Sequence, residues 1–226
     1  MNISEVKNEL DALYSQINPP YGVVPQWHEQ GVTDEKIVEI ESRLGVTLPL
    51  EVREVYKVFS GISHDTPYRI GERFHDIKEK LLSSIDLNGA DFDDDLVISK
   101  IEPLEKWGES DELYDPKKEY KELIEYMSQP DSEGKAVFID CDDDILSERH
   151  FIYIGSSYSE SVFTNLNSAS KDFGSIYNVK PFHPDLIVYK IANGYFDFIG
   201  HLKESLRIRA MLSAINSEVF DRAASK

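Results

Sequence analysis

Two runs of aspartate, "DFDDDL" at 91–96 and "DCDDDI" at 140–145, are the first residues whose spacing could do chemistry, because alternate carboxylates can offer oxygens to a hard cation. Neither run has the glycine that the helix-loop-helix calcium motif needs at its sixth position, and no metal is assigned to them. The six histidines, at 28, 64, 75, 150, 183 and 201, stand 11 residues or more apart, with no HExxH pairing. Cys141, the single cysteine, lies between Asp140 and Asp142, whose carboxylates disfavour the thiolate a nucleophile needs; it reads as a strand residue. "GSSYSES" at 155–161 contains no GxSxG elbow, and its small polar residues suit a hairpin turn. Neither GxxxxGK[ST] nor GxGxxG occurs, so the sequence offers no phosphate cradle, and no cofactor is expected.

The remaining chemistry is that of contact. The 226-residue chain has 42 acids against 24 bases, a formal net charge of −18, which argues against direct nucleic-acid binding. The excess is concentrated: residues 85–148 hold 21 Asp and Glu against 6 Lys, so −15 falls there and only −3 elsewhere. Asp93, Asp94, Asp95, Asp140, Asp142, Asp143 and Asp144 are therefore candidate partner-binding residues. The competing reading of the same acids is solvated turns and edge protection. Tyr153 and Tyr158 are the aromatic candidates for contact anchors, against an ordinary role in the packing of the sheet.

These residues need elements to hold them, and 41% hydrophobic content is enough to bury a sizeable core. Val6, Leu10, Leu13, Tyr14 and Ile17 repeat at helical spacing, with Ser4 as cap and Pro19-Pro20 beyond. Thr33 caps a helix carrying Ile37, Ile40 and Leu44; Gly45 stops it, Pro49 suits the first turn of the next, and Val52, Val55, Tyr56 and Phe59 form a second stripe before Gly61. "YRIGERF", "DLVISKIEP", "KAVFIDCD", "HFIYIGSS", "SVFTNLN", "GSIYNVKPF" and "LIVYKIA" are short runs rich in Val, Ile, Tyr and Phe between turn residues, as strands are. Helices are expected in "DPKKEYKELIEYMSQP" and "NGYFDFIGHLKESL". The fold class is α+β: a largely antiparallel sheet of about six strands flanked by helices. The organisation expected is an N-terminal helix and proline-containing link at 1–26, a main domain at 27–206, and a helical extension at 207–226. No apolar run reaches the roughly 18 residues of a membrane span and no signal pattern opens the chain, so a cytoplasmic location without membrane contact is expected.

The pattern "ESRLGVTLP", "LEVREVYKVFSG", "KAVFIDCDDD", "VFTNLNSASKDFGSIYNV" and "IVYKIANGYFDFIGHL" resembles the SUKH superfamily, which includes bacterial immunity proteins and yeast cell-wall regulators. The resemblance covers approximately residues 27–206. It is carried by Glu41, Leu44, Gly45, Leu48, Pro49, Tyr56 and Gly61 in the corner, by Gly174, and by Phe196, Phe198 and Ile199; Ser60-Gly61 stands where the family often has Asn-Gly. The resemblance implies a sheet with helices packed on it and no enzymatic activity. It further implies a protein that binds and neutralises a cognate toxin, a basic nuclease domain among the candidates, or alternatively a regulatory module for protein–protein interaction in signalling or envelope control. An acidic inhibitor can occupy a phosphate-binding surface and steer encounter with it.

Overall fold

Thr33 stands in extended backbone, and its side chain accepts from the Lys36 N–H at 3.3 Å, so α2 (Asp34–Leu44) opens with Asp34 and Glu35 at the positive end of the helix. Gly45 closes it in the left-handed region, at φ 68°. Pro49 then precedes α3 (Leu50–Tyr56) as its cap residue, one position ahead of the first turn where the sequence places it. Ile37 and Ile40, and Val52, Val55 and Tyr56, are buried as their periodicity predicts; Leu44, at the end of the stripe, is half-buried.

The computed structural model describes residues 2–16, 26–27, 31–63, 98–108, 116–129, 134–142, 145–147, 149–157, 160–182, 185–204, 206–207 and 210. The expected strand at 68–74 lies outside them. So do Asp93, Asp94, Asp95, Asp143, Asp144 and Tyr158. The expected N-terminal helix is α1 (Ile3–Gln16), two residues longer at its start than a Ser4 cap allows, with Val6, Leu10 and Tyr14 buried. Further helices are α4 (Pro116–Met127) and α5, which begins at residue 195.

The strands are β1 (Gln26–Trp27), β2 (Ile62–Ser63), β3 (Ile98–Ile101), β4 (Ala136–Ile139), β5 (Phe151–Ser157), β6 (Ser161–Asn165), β7 (Ile176–Phe182) and β8 (Asp185–Ala192). They form one sheet in the order β1-β2-β3-β5-β6-β7-β8-β4. Six have four residues or more, as expected, and two-residue pairings at β1 and β2 lengthen the sheet to eight. Every pairing is antiparallel except β4 with β8. That exception follows from α4, which separates β3 from β4 and carries the chain to the far edge; a hairpin cannot do this.

Helices cover both faces. On one, α1, α2, α3 and α5 bury Leu10, Ile37, Ile40, Val52, Phe198 and Leu202 with Ile154, Val162 and Ile176 of the sheet. On the other, Tyr120 of α4 packs with Phe151, Phe163, Tyr177, Val179, Leu186 and Val188. Neighbours such as Val162 and Phe163 point to opposite cores, so β6 is buried throughout instead of alternating. Within the first layer, Glu51 of α3 ties α5 in place by accepting the Phe196 N–H at 3.0 Å, an amide of the first turn of α5 that has no helical acceptor.

Candidate functional site

Beyond Ile139 the backbone leaves β4 abruptly. Asp140 has φ 55°, a left-handed conformation that aspartate tolerates better than most side chains, and the strand ends there. Cys141 therefore belongs to the bend after the strand, which corrects its reading as a strand residue. Its Sγ lies 3.6 Å from the Val188 carbonyl oxygen.

The turn brings Asp140 and Asp142 to one rim of an open cleft of about 660 Å³. Asp172, from the β6–β7 connection, and Asp197, from the first turn of α5, complete a set of four carboxylates, facing Lys171, Lys190 and His201. Lys190 of β8 is held by Asp172 at 2.9 Å, both largely shielded from solvent. The Asp197 carboxylate accepts the Asn193 N–H at 3.1 Å and lies 3.6 Å from His201 Nε2 one turn along the helix. One lysine is thus already engaged, and the acids outnumber the cations along the lining.

Near these acids lies the buried Tyr177 hydroxyl. Burial, then the nearby Asp172 carboxylate, then Cys141 and Asp142, raise its pKa far above the usual phenol value, an effect that Ser175 partly offsets. The phenol stays protonated at neutral pH.

Of the residues expected from sequence, the structure brings Asp140 and Asp142 into this cleft. Tyr153 is half-buried on β5, its ring 5.7 Å from Phe163 in an edge contact. Asp172, Lys190 and Asp197 were missed: they lie 30 to 57 residues from Asp142 or Asp140, and strand periodicity does not say which loops converge. The Asp197–His201 spacing on one helix face was the readable signal. No group of three or more histidine, cysteine, aspartate or glutamate side chains suited to a metal occurs among the described residues.

Among the described residues no helix is long and apolar enough to cross a membrane. No curated protein matches the chain. Residues 31–201 match the model of the SMI1 / KNR4 family (SUKH-1), a span running from the corner through the sheet to α5. With most of its length so matched, and with the α+β architecture that goes with it, the chain belongs to the SMI1 / KNR4 family (SUKH-1), whose roles are toxin immunity and SMI1-like regulation.

Proposed function

We propose that this protein is a non-enzymatic immunity protein of the cytoplasm, which neutralises a cognate toxin by stoichiometric binding through its acidic surface. The single observation carrying the reading is the meeting of Asp140, Asp142, Asp172 and Asp197, from two separate connections and the first turn of α5, on one open and predominantly acidic face. Asp143 and Asp144 continue the same run in sequence. Family membership supports a binding role, and a net charge of −18 favours a basic partner, such as the phosphate-binding surface of a nuclease domain. Fixed carboxylates speed encounter by attraction over roughly 8 to 10 Å of screened solution, so their signature is a salt-sensitive association rate.

The test is co-expression with toxin domains encoded beside the gene, scored by growth rescue, then association kinetics of the purified pair. Asp140→Asn with Asp142→Asn keeps the side-chain shape and the tolerance for positive φ. It is expected to slow association several-fold at low salt, flatten its salt dependence and leave the melting temperature unchanged. Association identical to the parent at every salt concentration removes this face from the interface. Capture of endogenous signalling proteins, with no toxin neutralised, replaces immunity by the regulatory role of the family.

A further inference from the structure

Among the described residues the sheet ends on β4, which pairs there on one side only, in parallel with β8. The Leu186 N–H donates to the Lys135 carbonyl at 3.1 Å, and this fixes the phase of the ladder. In a parallel pair, alternate residues turn both backbone groups to the same neighbour. Lys135, Val137 and Ile139 therefore address β8, and Ala136 and Phe138 turn their N–H and C=O outward. Among the described residues nothing bonds to those outward groups. Natural edges are usually blunted by lysine, proline, a bulge or a covering element, yet "AVFI" has no charge, no proline and a regular register. Ile139, at its end, is 47% exposed. Asp140 and Asp142 follow immediately, on the rim of the acidic cleft.

We infer that the open edge of β4 is the docking line for the toxin, which adds a strand of its own there and sets a lysine or arginine beside Asp140 and Asp142. The inference rests on the immunity reading and adds the mode of contact. Backbone pairing at Ala136 and Phe138 supplies the register, and the acids beyond Ile139 select a basic flank. Charge chooses the occupant: a second copy carries the same net charge of −18 and is repelled, whereas a basic partner is attracted.

The probe is the purified toxin domain whose growth arrest the full chain relieves on co-expression. Ala136→Pro removes one outward N–H while leaving the Val137 N–H for β8, at the first residue of the strand, where proline is tolerated. Ala136→Val keeps that N–H. The proline variant is expected to bind about tenfold more weakly or worse, and the valine variant within about twofold of the parent. The Phe138 amide is expected to gain protection from hydrogen exchange in the parent complex. Parent-like binding by a folded Ala136→Pro variant overturns the inference; if that variant does not fold, an unprotected Phe138 amide in the saturated parent complex does so. Protection of that amide in the protein alone, rising with concentration, replaces the toxin by a second copy. Relief of no toxin domain overturns the immunity reading and this inference with it, whereas relief with an unprotected edge overturns only the docking mode.

Discussion

Gly45 shows how a single residue sets the corner. Its φ of 68° is the left-handed conformation that a side chain disfavours, while a Cβ built there meets nothing nearer than the Arg149 guanidinium at 3.8 Å. The requirement is therefore one of backbone, with space to spare. Gly45→Val is expected to cost about 1 to 2 kcal/mol in chemical denaturation, and Gly45→Asn to recover much of it, since asparagine visits this region more readily. Gly61 differs: its φ is 114° and a Cβ would lie 2.6 Å from the Ile101 carbonyl oxygen, so both conformation and close approach demand glycine. Burial ranks the apolar positions in the same way. Ile40, 1% exposed, should lose about 2 to 5 kcal/mol on replacement by alanine. Leu44, half-buried beside Gly108, should lose clearly less, and equal losses in parallel melts contradict the packing described.

At the scale of elements, the corner between α2 and α3 is held by one carboxylate. Glu41 Oε1 accepts the Leu48 N–H at 2.6 Å and pairs with Arg53, so α2, the connection and α3 meet at one atom. Glu41→Ala strips the Leu48 amide of its acceptor and is expected to cost about 1 to 3 kcal/mol; Arg53→Leu, which leaves that bond in place, should cost less. Reversal of this order in denaturant titrations shows that the ion pair, and not the amide bond, fixes the corner. The helices and their stops were legible because each has a local cause: Thr33, Gly45 and the apolar stripes act within one or two turns. Six strands were legible from their β-branched and aromatic runs. The β4–β8 pairing was not, because "KAVFIDCD" looks alike beside any neighbour and only the path of α4 decides which one it meets. The cleft was half legible for the same reason. Asp140 and Asp142 announce themselves by composition, whereas Asp172 and Asp197 gain meaning only when the sheet has closed.

Across the whole molecule, the helical layer is tied together by a buried chain of hydroxyls. Tyr195 of α5 donates to the Tyr56 hydroxyl of α3 at 3.0 Å, and Tyr56 donates to the Glu102 carbonyl beyond β3 at 2.9 Å. Trp107 lies edge-on to Tyr56 at 5.3 Å. Burial raises both phenols far above their ordinary value; for Tyr56 the adjacent Tyr195 adds to this, and for Tyr195 the hydrogen bond to Tyr56 offsets part of it. The folded protein then holds two protons that the unfolded chain releases near pH 10. The resulting stability is complete below about pH 10 and is lost as pH rises toward the folded-state values, at about 1.4 kcal/mol per pH unit for each phenol. Alkaline unfolding is thus expected to be cooperative, with Tyr56 and Tyr195 ionising only as the core opens. Phenolate absorbance and circular dichroism recorded together on one titration test this. Tyr195→Phe should lower stability at neutral pH by about 1 kcal/mol, through the lost hydrogen bond, yet make its decline above pH 10 shallower. A slope unchanged by that substitution means that the aromatic chain does not govern the alkaline limit of the fold.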